Sequence, residues 1–167
     1  MFELNKQKAK LVKMMPKIGK RKGDKEPEGL ATLVFEATMS NDVLSELHPT
    51  LKSLLFVQDS DNEELIDKSS LTKLRFGQSL KKFKWEESIE GAEVEIAYGV
   101  SGNVVFESAK VSGPTIEPHE GGSVSVSFAV TGQTTGTAVG KTFDHLLGNE
   151  VEITIIKPQS NQSELDV

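Results

Sequence analysis

The sequence has no cysteine, which excludes a disulfide framework, a thiolate nucleophile and any zinc site built on sulfur. Histidine is nearly as scarce. Only three are present, and none stands at a metal-ligand spacing from another; His119 beside Glu120 and His145 beside Asp144 read as surface or locally paired side chains. No metal and no cofactor is expected. No Gly-x-Ser-x-Gly elbow precedes a helix pattern, and no base and orienting group stand out to serve any of the many serines. A non-enzymatic protein is therefore expected. No apolar run reaches the length of a membrane-crossing helix. The opening MFELNKQKAKLVKMM lacks the apolar centre of a secretion signal, so the expected location is the cytoplasm.

What the chain does have is enough apolar material for one core. With 167 residues and 37% hydrophobic content, it is long enough to bury a single well-packed domain. The expectation is one β-rich domain over 1–158, with a basic hairpin inside 1–40 and a disordered tail over 159–167, whose letters PQSNQSELDV begin one residue earlier.

Charge is unevenly placed. The formal net charge is −6, yet residues 1–28 hold nine of the 19 Lys/Arg and only four of the 25 Asp/Glu. A basic segment on an acidic body reads either as an arm for nucleic acid or as a hairpin whose lysines simply face water.

Periodicity points to strands. KAKLVKMMPKI suits an edge strand that tolerates Pro16, GKRKGDKEPEG a long polar turn, and LATLVFEATMS a second strand alternating Leu33, Phe35, Ala37 and Met39. Ser40 or Asn41 can cap a short helix in DVLSEL, and Leu51, Leu54 and Leu55 form one stripe in PTLKSLLF. From residue 71 onward LTKLRF, KKFKW, AEVEIAYG, NVVFESAKV, GSVSVSFAVTG and EVEITIIK all read as strands, with GVSGN and EPHEGG as turns. The fold class expected is mainly β (α+β): an antiparallel sheet or barrel with an N-terminal β-hairpin and two or three short helices over one opening.

Three segments carry candidate chemistry. In TGQTTGTAVGKTF the Gly140-Lys141-Thr142 triplet has Thr135 where a phosphate loop needs glycine, and the spacing from Gly136 is one residue short. Too little chain follows for the remaining units of such a domain. A flexible Gly/Thr loop leading into a short helix from Thr142 to Leu147 accounts for the letters. In DSDNEELID the spacing of Asp59, Asp61 and Glu63 resembles the start of a calcium loop, but Glu64 and Ser70 replace its required glycine and bidentate acid. The third segment, KLRFGQSLKKFKW, interleaves Lys73, Arg75, Lys81, Lys82 and Lys84 with Phe76, Phe83 and Trp85. Cations for phosphates and flat rings for bases are what a single-strand groove needs. Simple alternation, with Phe83 and Trp85 inward and the lysines outward, explains the same pattern. The candidate nucleic-acid set is Lys17, Lys20, Arg21, Lys22 and Lys25 of the hairpin, together with Lys73, Arg75, Lys81, Lys82, Lys84 and Trp85.

Taken together, SNDVLSELHPTLKSLLF, LRF followed by Trp85, HEGGSVSVSFAV and VEITIIKP resemble a group of small, largely uncharacterised proteins of tailed bacteriophages and prophages. The likeness runs from about Glu28 to Pro158. Some members accompany phage genes for DNA replication and recombination, so it implies a cytosolic accessory that binds single-stranded DNA or a replication or recombination protein. It carries no catalytic residue over. The lysine-dense KIGKRKGDK departs from the pattern. The alternative is a virion component, a tail-tube-like β-barrel that self-assembles as a homo-oligomer, because those proteins also combine a small barrel, a long hairpin and a helix.

Overall fold

The computed structural model describes residues 3–18, 23, 29–61, 70–146 and 148–159, and the architecture is that of these residues. Nine strands and three short helices follow in the order β1 (Leu4–Ile18), β2 (Gly29–Ser40), α1 (Val43–Leu47), α2 (Leu51–Leu55), β3 (Phe56–Gln58), β4 (Leu71–Leu74), β5 (Phe83–Lys84), β6 (Ile89–Ala97), β7 (Asn103–His119), β8 (Ser123–Thr134), α3 (Gly136–Asp144) and β9 (Glu150–Ile156). Six of the strands pair in a ring, β1–β2–β8–β7–β6–β9 and back to β1, and every pairing is antiparallel. The expected fold class therefore holds, and the choice between open sheet and barrel falls to closure, which leaves few bare edges.

The ring is two sheets sharing two bent strands. β1 pairs with β9 through Leu4–Lys10 and with β2 from Lys10 onward. Likewise β7 pairs with β6 up to Val111 and with β8 from Lys110 onward. The first sheet is thus the outer half of β1 with β2, β8, the second half of β7 and the short β5. The second sheet is the remaining half of β7 with β6, β9 and the start of β1. A one-residue bulge between Leu11 and Lys13 turns the β1 corner.

Period-two alternation fills the space between the sheets. Leu33, Phe35 and Ala37 on β2, Val126, Phe128 and Val130 on β8, Val94 and Ile96 on β6, and Ile153 and Ile155 on β9 are all buried. Phe35 lies directly opposite Phe128 in the β2–β8 ladder, and their rings stack at 5.8 Å. That pairing fixes a register that runs without a slip from Gly29–Thr134 to Ser40–Ser123. Phe128 and Ile153 share one core, as the alternation requires, and Trp85 packs partly buried against it.

β7 is longer than its letters suggest. The sequence reads as a strand over NVVFESAKV, ending at Val111, and as a turn over EPHEGG, whereas the strand continues to His119. The register slips between Ser112 and Thr115, and here the chain at Trp85–Glu87 crosses over. A Cβ on Gly113 would stand 2.0 Å from the Trp85 carbonyl oxygen, so only glycine fits. Pro114, which has no N–H to give to a ladder, accepts the Trp85 N–H at 2.8 Å.

Short helices close the two ends rather than one. α1 and α2 follow β2 and bury Val43, Leu44, Leu47, Leu51 and Leu55. Leu54, expected in the same stripe, is 53% exposed, because in a single-turn helix only Leu51 and Leu55 share the inward face. The cap of α1 is Asp42, not Ser40 or Asn41. Ser40 instead hydrogen-bonds the Asp42 carboxylate, and the Asn41 side chain donates to the Leu71 carbonyl at 2.7 Å. At the other end α3 starts at Gly136 rather than Thr142 and leaves no flexible Gly/Thr loop after β8. The physical reason is the Thr135 cap, whose hydroxyl accepts the Ala138 N–H at 3.2 Å. Among the described residues no helix is long and apolar enough to cross a membrane.

Candidate nucleic-acid interface

The lysines of β1 are placed by its bulges. Ala9 and Leu11 are buried, so Lys8 and Lys10 face outward. One extra residue between Leu4 and Gln7, with Lys6 at a positive φ of 47°, turns Lys6 outward as well. Beyond the Leu11–Lys13 bulge, Lys13 lies opposite Val34 and Lys17 opposite Leu30. Those two are cross-strand neighbours of the alternate β2 residues that point away from the core. Five lysines therefore stand on the outer surface along one strand, and among the described residues none of them is in an ion pair.

They are not equivalent. Lys8 lies opposite Glu152, and Lys10 has Glu150 on one side and Glu36 on the other. Lys13 and Lys17 have apolar cross-strand neighbours and, among the described residues, no acidic partner. The first sheet continues around them with hydroxyls: Thr32 bonds Thr131 at 2.9 Å, Thr38 bonds Ser125 at 3.3 Å, and His119 bonds Ser125 at 2.8 Å. The outer face of the second sheet is mostly acidic, with Lys6 and Lys8 along its β1 edge. Glu93 and Glu95 on β6, Glu107 on β7, and Glu150 and Glu152 on β9 face outward, and none of these carboxylates is in an ion pair among the described residues.

The residues singled out by sequence divide. Lys17 is exposed on the first sheet, and Lys20, Arg21, Lys22 and Lys25 lie outside the described residues. Lys73 pairs with Asp61 at 3.5 Å, Lys82 with Glu117 at 3.7 Å and Lys84 with Glu86 at 3.2 Å; Lys81 is exposed. Arg75 caps a helix: its guanidinium donates to the Leu54 carbonyl at 3.1 Å and the Ser53 carbonyl at 2.9 Å, the free carbonyls at the end of α2. Phe83 and Trp85 pack against the core, with the His48 ring 6.4 Å from the indole.

Nor, among the described residues, does the fold bring Lys17 beside Lys84. Lys84 pairs with Thr115, Thr115 with Ser127, and the hairpin leaves β8 at Thr134. Seven strand residues separate those positions, about 23 Å at the rise of a β-strand. Sequence reasoning passed over Lys6, Lys8, Lys10 and Lys13, whose signal was present as the i, i+2, i+4 spacing of Lys6, Lys8 and Lys10 on a strand.

Gly140, Lys141 and Thr142 lie inside α3, where their N–H groups belong to the helical ladder and cannot cradle a phosphate. Thr142 is buried and donates to the Ala138 carbonyl at 2.7 Å, so the Tyr98 hydroxyl, 2.9 Å away, donates to Thr142. Burial raises the Tyr98 pKa above its ordinary value, against the opposing effect of Thr142, and the His145 ring stacks on it at 4.5 Å. This cluster clamps α3 onto the barrel. Among the described residues no three His, Asp or Glu side chains gather as a metal set.

The geometry defines a small two-sheet barrel whose surface charge is sorted between its faces. No protein-family model matches the chain, and no curated protein or solved structure matches it.

Proposed function

We propose that the protein is a non-enzymatic binding protein for single-stranded nucleic acid, held through its phosphates by the outer face of the first sheet. The supporting observation is that Lys13 and Lys17, exposed and without an acidic partner among the described residues, stand on a strand that in sequence precedes Lys20, Arg21, Lys22 and Lys25. Cations set in line along a strand suit an extended polyanion, and the hydroxyls of β2 and β8 beside them offer further phosphate donors. The Lys81–Trp85 segment suits a nucleic-acid strand less well, because Lys82 and Lys84 have acidic partners and the rings of Phe83 and Trp85 pack against the core. In the setting that the sequence resemblance implies, such a protein serves in the host cytoplasm as a phage-encoded accessory to replication or recombination.

Fluorescence anisotropy with a labelled single-stranded oligonucleotide, titrated across salt, tests this. Each phosphate contact on a single strand contributes about −0.7 to the slope of log affinity against log salt. Replacing Lys13 and Lys17 by Ala should make the slope shallower by about 1.4 on that scale, while Lys82→Ala with Lys84→Ala leaves it unchanged. Absence of binding at low salt, or loss through Lys82 and Lys84 alone, would overturn the proposal.

A further inference from the structure

We infer that the two charged faces dock on one another between copies, the outer face of the first sheet of one molecule seating on the outer face of the second sheet of the next. The occupant of each face is thus a second copy of this chain. Charge complementarity carries the argument: Lys13 and Lys17 on one side, Glu93 and Glu107 on the other, with Glu152 beside its cross-strand neighbour Lys8, all exposed and, among the described residues, without ion pairs of their own. Apolar side chains lie on both surfaces. Val12 at the β1 corner is 39% exposed, and Val105 and Ile156 on the second sheet are 50% and 49% exposed. Single exposed apolar residues are common on surfaces, so they add apolar area to such a contact without defining it.

Pairing either face with its own copy would set like charges against each other, so a two-fold dimer is disfavoured. Because the two faces lie on opposite sides of the core, the contact is head-to-tail, and every molecule keeps one unused face of each kind. Growth then continues until the rotation per contact closes a ring or, if it does not close, runs on as a stack. The inference goes beyond the nucleic-acid reading but shares Lys13 and Lys17 with it, so a single strand and a second copy compete for the same face.

Light scattering after gel filtration tests the contact. At low salt the wild-type mass should rise with concentration to at least twice the monomer, and high salt should return it to the monomer, as screening requires. Lys13→Glu with Lys17→Glu removes the basic face, and Glu93→Lys with Glu152→Lys removes the acidic one; each variant alone should be monomeric. Mixed together, the acidic faces of the first variant meet the basic faces of the second, so the two should associate in alternation although neither does so alone. The Glu93→Lys, Glu152→Lys variant should still bind the oligonucleotide, which separates failure of this inference from failure of the nucleic-acid reading. Carbodiimide cross-linking of the wild-type protein needs no substitution and should join Lys13 or Lys17 to Glu93, Glu107 or Glu152 between isotopically distinct copies. A wild-type protein that stays monomeric at low salt, a mixture that does not associate, or intermolecular cross-links confined to other residues would each overturn it.

Discussion

The two sheets share a core and two strands, yet their outer faces have opposite chemistry. The first presents Lys13, Lys17 and paired rows of Ser and Thr hydroxyls; the second presents Glu93, Glu95, Glu107 and Glu152. The inward residues hardly differ, being Val, Ile, Leu, Ala and Phe on both. Alternation allows this, because the inward set fixes the fold while the outward set is unconstrained by packing. Folding and surface chemistry are therefore written in alternate letters of the same strands.

The strongest way to break the comparison is to remove the core that holds the two faces back to back. Phe128→Ala empties a buried site stacked on Phe35, and it should cost about 3–5 kcal/mol, read as a fall in the denaturation midpoint. A midpoint near wild type would mean that the sheets do not depend on that stack.

Next in size is the corner between the sheets. Gly113→Ala drives a methyl group into the backbone at Trp85–Glu87 and should destabilise by about 1–3 kcal/mol, the range for overpacking. Gly136→Ala, at the first turn of α3 with nothing within 4 Å of the added carbon, is the control and should be neutral or slightly stabilising in the same thermal melt.

A smaller effect belongs to the clamp on α3. Tyr98→Phe leaves the packing and removes one hydrogen bond to Thr142, so a loss of about 1 kcal/mol is expected in urea unfolding. No loss would place the stabilisation in the stack on His145 alone.

The smallest comes from Asp42, whose carboxyl is held below its ordinary value first by the hydrogen bond from Lys52 and then by that from Ser40. A depressed folded pKa contributes stability that is present above the unfolded value and lost as the pH falls through the folded one. Stability should therefore decline in acid below about pH 4, the usual carboxylate range, and Asp42→Asn should flatten that part of the profile. The carboxylate is largely exposed, so solvent screening keeps the difference under about 1 kcal/mol.

Much of the barrel was legible because β2 and β8 alternate cleanly and a buried face requires alternation. The continuation of β7 was hidden, since glycine and proline at 113 and 114 are poor strand formers when read locally. Only the crossing of Trp85–Glu87, brought from elsewhere in the chain, explains a glycine there. KKFKW supports two readings with one set of letters, and the side that its rings take depends on the pairing of Phe83 with Ile116. The basic face was half visible. Lysine spacing along β1 is in the sequence, but which lysines have acidic neighbours depends on registers with β2 and β9 that no local pattern records.

The joint between β1 and β9 has a consequence for the order of folding. Lys6 donates its backbone N–H to the Thr154 hydroxyl across 148 residues of sequence. Contacts so distant are slow to form, because the loop-closure entropy must be met before any contact offsets it. On the ribosome the first strand emerges early and its partner at Glu150–Ile156 last, so an unfinished chain carries β1 and β6 with open edges along their shared neighbour's place. Such edges are templates for wrong pairing. The exposed lysines along β1 are the kind of charge that edge strands carry against such pairing.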